Sequence, residues 1–130
     1  MKQYITFLII ATSLLACKKQ AGEGGKAKIT GKLIIHNYDN SYTKLQNIYS
    51  GAGENVFIIY GDEKSVGATR KVAPDGTFEF NYLRKGKYQV FAISKDTSHH
   101  DYVTKYSIIK NVEVKTTKEM VDVNEIIVFD

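Results

Sequence analysis

Between Ile29 and Phe129 apolar residues fall at every second position in one segment after another, and no long window carries the 3.6-residue period of a helix. Period two turns one face of each segment to a core and the other to water, which constrains the chain to sheets packed face to face. The segments are 28–36, with Ile29, Leu33 and Ile35 on one face, then 55–60, 68–72 and 77–81. They continue with 87–94, where Tyr88, Val90 and Ala92 face inward, then 107–114, and 119–129 with a break expected near Asn124 and Glu125. Pro74-Asp75-Gly76 closes one hairpin, Pro presetting φ and Gly accepting a positive φ, and Lys85-Gly86 closes the next. Seven strands at this spacing predict an all-β fold, a seven-stranded antiparallel β-sandwich. The 130 residues include a single Cys, so no internal disulfide staples the fold, which rests on its apolar core alone or on a metal.

That Cys has a different expected use. Lys2, the apolar stretch Tyr4–Ile10 and the small residues up to Ala16 are the three parts of a secretory signal peptide, assigned to 1–16. The apolar run is shorter than the roughly 20 residues that cross a bilayer. Leu14-Leu15-Ala16-Cys17 resembles the lipobox of bacterial lipoproteins. The resemblance implies cleavage before Cys17 and a covalent lipid on its thiol, with no other cofactor. Lys18 at the next position resembles outer-membrane cargo, so the expected location is the bacterial cell envelope, lipid-anchored at the outer membrane. Residues 17–28 then form the lipidated Cys and a tether: KKQAGEGGKAK has no large apolar side chain and predicts a flexible reach of roughly 17 to 20 Å. The folded domain is 29–130.

Charge narrows the partners. Lys and Arg number 18 against 14 acids, and cleavage removes Lys2 alone, leaving a net of +3. This small excess is spread along the chain and does not support nucleic-acid binding. Lys18-Lys19 stand beside the expected lipid, where anionic head groups attract them. Arg70, Lys71, Arg84, Lys85 and Lys87 bracket one hairpin as basic surface.

Ile29-Thr30-Gly31-Lys32-Leu33, Asn55-Val56-Phe57-Ile58, and Asp75-Gly76-Thr77-Phe78-Glu79-Phe80 followed by Leu83, Gly86, Tyr88, Val90 and Ala92 together resemble the prealbumin-like sandwiches. That group includes the carboxypeptidase regulatory-like and Cna-B-like domains, and the resemblance implies an Ig-like Greek key over about 28–129. Cna-B adhesin domains carry a Glu where this chain has Ala92, so an internal isopeptide bond is not expected. The related hydroxyisourate hydrolases end in Tyr-Arg-Gly-Ser, whereas this chain ends in Glu125-Ile126-Ile127-Val128-Phe129-Asp130. No G-x-S-x-G and no P-loop occur, and a non-enzyme is expected.

With antiparallel neighbours, the connections 37–54, 73–76 and 95–106 share the end of the sandwich away from the tether. The first is rich in Tyr, Ser, Asn and Gly, and Tyr38, Tyr42 and Tyr49 are candidate binding residues, since Tyr gives broad contact at small entropy cost. The alternative role for these tyrosines is to cap the open end of the core. The last connection adds His99, His100 and Tyr102 as candidates. His99, His100 and Asp101, with His36 as a third element, have metal-ligand chemistry, but adjacent residues of an extended segment point apart and no metal site is expected. The expected function is a lipid-anchored envelope binding or assembly module that offers these loops or a sheet edge to a protein partner. The alternative is a carbohydrate-binding accessory lipoprotein using the loop tyrosines, with a metal-binding envelope protein third.

Overall fold

A computed structural model describes residues 20–97 and 104–130. The segment carrying the lipobox, and residues 98–103 with His99, His100 and Tyr102, lie outside the described residues. The fold is an all-β sandwich, as the period-two pattern requires, with eight strands: β1 Glu23–Tyr38, β2 Leu45–Ser50, β3 Asn55–Tyr60, β4 Ala68–Lys71, β5 Thr77–Leu83, β6 Gly86–Lys95, β7 Lys105–Val114 and β8 Met120–Phe129.

Two sheets of four strands face each other. Sheet B runs β4-β3-β6-β7, each pair antiparallel. Sheet A is built around the long β1, which pairs with β2, β5 and β8. Leu33 marks the junction on one edge of β1: its N–H donates to Gly76 O at 2.8 Å and its C=O accepts from Gly51 N–H at 2.9 Å. The N-terminal half of β1 pairs there with β5 and the C-terminal half with β2, while the opposite edge takes β8. Inward side chains alternate as expected: Ile29, Leu33 and Ile35 from β1 and Phe78 and Phe80 from β5 meet Val56 and Ile58 from β3 and Tyr88, Val90 and Ala92 from β6.

Four expectations need correction. The strand count is eight, because β2 lies inside the segment read as a loop. This strand is solvated over nearly its whole length, so selection for a core left no alternation in it. The sandwich is not wholly antiparallel, since the chain leaves β7 in sheet B, crosses to sheet A and runs β8 parallel to β1. The break near Asn124 is a bulge within a continuous strand: register shifts between Thr30 and Lys32, and Asn124 takes φ 62° with its N–H held by Asp122 Oδ1 at 2.7 Å.

The flexible segment expected to run to Lys28, finally, does not extend that far. Strand β1 begins at Glu23 and Ala27 is fully buried. The small residues read as flexible serve close approach instead. Arg84 lies so near Gly24 that a Cβ there would stand 2.7 Å from its guanidinium, and the Leu83 carbonyl occupies the space a Cβ on Gly25 would need.

Candidate binding surface

Most of the exposed large apolar side chains gather in three places. Leu45, Ile48 and Tyr49 are on β2, Ile93 and Ile109 are on the outer face of sheet B, and Tyr82 and Met120 stand near the N-terminal end.

The first place lies at the end of the sandwich opposite Gly22. Register fixes the geometry. Because Gly51 N–H bonds Leu33 O, the pairs Ile35 with Tyr49 and Asn37 with Asn47 exchange the ladder hydrogen bonds, and the N–H and C=O of Ile48 point away from β1 to an open edge. That outward N–H is held by its own neighbour, Asn47 Oδ1, at 2.9 Å. Strand β2, LQNIYS, contains no charged residue and no Pro. The other outer strands each carry charges: Arg70 and Lys71 on β4, Lys105, Lys110 and Glu113 on β7, Asp122 and Glu125 on β8. Charge and Pro are how natural sheets discourage strand addition, and β2 lacks both. It bears one bulge, at Gln46, where register shifts between Asn37 and Tyr38.

On the outer face of sheet A, register sets Ile48 beside His36 and His36 beside Phe129, with Ile34 beside Ile127. His36 and Tyr38 both contact the Phe129 ring edge-on, at 6.0 and 5.8 Å between centroids. Ile48 is 53% exposed and completes an aromatic and aliphatic strip that runs into the open β2 edge.

Tyr49 faces the other way, over the open end between the sheets. Its hydroxyl donates to Asp130 Oδ2 at 3.3 Å, and Asp130 Oδ1 pairs with Lys95 Nζ. The Lys95 bond holds the Asp130 carboxyl below its ordinary value, and the same bond raises the Lys95 ammonium. Burial and then the Asp130 charge raise the Tyr49 phenol, so it is a neutral donor at neutral pH. Tyr49, Glu54, Lys95, Lys105 and Asp130 line a cleft of about 450 Å³. Beneath it Ser94, 1% exposed, accepts the Phe129 N–H at 2.9 Å and donates to Lys95 O at 3.1 Å, clasping sheet B to sheet A.

The structure therefore divides the three described tyrosine candidates. Tyr38 belongs to the outer strip. Tyr49 lies over the open end between the sheets, its hydroxyl on Asp130. Tyr42 takes φ 52° in the turn 39–44. The turn itself is held by Asp39, whose carboxylate accepts from Thr43 N–H at 2.9 Å and Lys44 N–H at 3.3 Å. The connections 51–54 and 73–76 meet at this end through Ser50 Oγ, which donates to Pro74 O at 3.1 Å.

Sequence reading missed Ile48 and Phe129, and it missed the second apolar place entirely. Across the outer face of sheet B, register lines up Thr69, Phe57, Phe91 and Ile109, and the two Phe rings stack at 5.0 Å. The signal was present: Val56-Phe57-Ile58-Ile59 and Val90-Phe91-Ala92-Ile93 are continuous apolar runs, which mark a strand apolar on both faces.

No family model and no curated protein matches the chain. Among solved structures it resembles a "putative carbohydrate binding protein" from Pseudomonas aeruginosa, with a TM-score of 0.46 and 14% identity over 85% of this chain and 92% of that one.

Proposed function

We propose that the protein is a non-catalytic binding or assembly module of the bacterial cell envelope, anchored by a lipid on Cys17, that receives an extended segment of a protein partner on the β2 edge. One observation carries this reading: β2 is an outer strand without charge or Pro, its Ile48 N–H and C=O directed outward, next to the strip formed by Ile48, His36 and Phe129. Strand addition would supply main-chain hydrogen bonds, and the strip would supply apolar contact for alternate side chains of the partner. The Asn47 side chain that now occupies the Ile48 N–H is a local, exposed partner that an incoming carbonyl can replace. The prealbumin-like resemblance and the lipobox belong to this proposal.

The test follows from the register. Ile48→Pro removes an outward N–H and spares the ladder bonds to β1, which Asn47 and Tyr49 carry. Recovery of envelope proteins on Ile48→Pro should fall several-fold against the unaltered protein while the fold is retained, and equal recovery rejects the edge. Cys17→Ala reads the anchor separately: it should leave a soluble or unprocessed chain, and a processed variant that still fractionates with membranes rejects lipidation.

The cleft at the same end favours a second reading, carbohydrate binding. It joins the ring of Tyr49 to the charged pair of Lys95 and Asp130, a stacking surface beside hydrogen-bonding groups. Tyr49→Ala should then abolish retention on envelope polysaccharide while Ile48→Pro has no effect, the reverse of the protein-partner pattern.

A further inference from the structure

The third apolar place sits at the opposite end of the sandwich and carries a different chemistry. A groove of about 340 Å³ there is lined by Gly24, Gly25, Lys26, Leu83, Arg84, Lys85, Thr117 and Lys118, four cations and no acid. None of these cations is in an ion pair; the pairs among the described residues are Lys28 with Glu79 and Lys95 with Asp130. The two acids on the flanking segments, Glu119 and Glu23, accept hydrogen bonds from neutral donors and form no ion pair with these cations. Glu119 Oε2 accepts the N–H groups of Lys115 at 2.7 Å and Thr116 at 3.3 Å, and Glu23 Oε1 accepts from the Tyr60 hydroxyl at 3.4 Å. The Gly24–Gly25 pair shapes the groove, because Gly24 takes φ 113° and a Cβ on Gly25 would collide with the Leu83 carbonyl.

Two exposed apolar residues flank these cations along the chain. Tyr82, next to Leu83, is 75% exposed at φ 58°, and Met120, paired with Lys28 across from β1, is 69% exposed. They are the two most exposed large apolar residues described, and each lies two residues along the chain from a cation of the groove, Arg84 or Lys118. Unpaired cations around a groove, flanked by a protruding Tyr and Met, are the chemistry of a surface that meets head groups with its charges and the acyl boundary with its apolar tips.

Position selects the membrane over other polyanions. The backbone is pinned at Gly22, whose N–H donates to the buried Tyr88 hydroxyl at 2.9 Å and whose C=O accepts from Arg84 N–H at 2.9 Å. From Cys17 to Ala21 the chain has four peptide steps, about 14 Å at full extension. An acyl chain on Cys17 therefore holds the groove within reach of the head groups.

We infer that the groove of Lys26, Arg84, Lys85 and Lys118, with Tyr82 and Met120, seats the phosphate of anionic lipid head groups and fixes the domain upright on the membrane. This rests on the lipid anchor proposed above. The mature acylated protein is reconstituted in vesicles of phosphatidylcholine alone and of phosphatidylcholine with phosphatidylglycerol. Flotation with the neutral vesicles reads the anchor by itself, and amide hydrogen exchange over 82–86 and 115–120 reads the groove. The expected result is exchange slowed several-fold on anionic vesicles only, reversed by high salt and absent when Lys26, Arg84, Lys85 and Lys118 are all Gln, with β3 and β6 exchange unchanged. Equal exchange on both vesicles overturns the inference. So does equal protection on neutral vesicles by inorganic phosphate, which would make the groove a site for free phosphate, or by a soluble anionic glycan.

Discussion

The hydroxyl of Tyr88 accepts the backbone N–H of Gly22 at 2.9 Å across 66 residues of sequence and donates to Arg84 O at 2.6 Å. The ring is 1% exposed, so a core residue of β6 fastens the start of the folded chain. Tyr88→Phe keeps the ring and orphans both backbone groups, which should cost about 1–3 kcal/mol. Chemical denaturation reads the loss. Tryptic cleavage after Lys26 should accelerate with it, and an unchanged denaturation midpoint contradicts the assignment. Burial also raises the Tyr88 phenol. A group with a raised native value contributes stability that is complete below its unfolded value and lost as pH climbs through the native one. The protein should therefore weaken at strongly alkaline pH, and Tyr88→Phe should weaken less steeply.

Gly31 occupies an inward position of β1 where a Cβ would stand 2.5 Å from Phe78 Cζ and 2.6 Å from Val123 Cγ2. Gly31→Ala should destabilise by about 1–3 kcal/mol through overpacking. Adding Val123→Ala should recover part of that loss, and strict additivity in a double-mutant cycle would show that the two sites do not share space.

Ser94→Ala removes the acceptor of the Phe129 N–H and should cost about 1–3 kcal/mol. Because Phe129 also carries the contacts to His36 and Tyr38, amide exchange at the end of β8 should rise. Wild-type exchange there would refute the clasp.

At acid pH two carboxylates act in the same direction. The Thr77 hydroxyl, which donates to Asp75 Oδ1 at 2.7 Å, lowers the Asp75 carboxyl, and Lys95 lowers that of Asp130. A lowered native value gives stability present above the unfolded carboxylate value and lost as pH falls through the native one. Stability should thus decline below the ordinary carboxylate range. Asp130→Asn should flatten that decline, a small effect because the pair is 40% and 41% exposed, and an unchanged acid profile would contradict it.

How far the sequence discloses the molecule depends on what each residue is pressed against. Ile29, Leu33, Tyr88 and Val90 face a core, so period two located them and fixed the sandwich. Strand β2 could not be read this way, because what holds it is a hydrogen-bonded ladder to β1 and its side chains are exposed along nearly its whole length. Gly24, Gly25 and Ala27 misled for the opposite reason: smallness can mean freedom or contact, and only the approach of Leu83 and Arg84 decides between them. The parallel placement of β8 had no local signature at all, since a strand's own pattern is the same whichever way its neighbour runs. The candidate strip joins Ile48, His36 and Phe129 from three strands, and it exists only once register is known.

Cross-linking in living cells reads directly whether β2 receives a partner. A photoreactive residue placed at Ile48 should give a discrete protein adduct. The same residue at Glu113, on the outer face of β7 in the other sheet, should give none. Adducts at Glu113 with none at Ile48, or identical adducts at both, would rule out β2 as the docking edge.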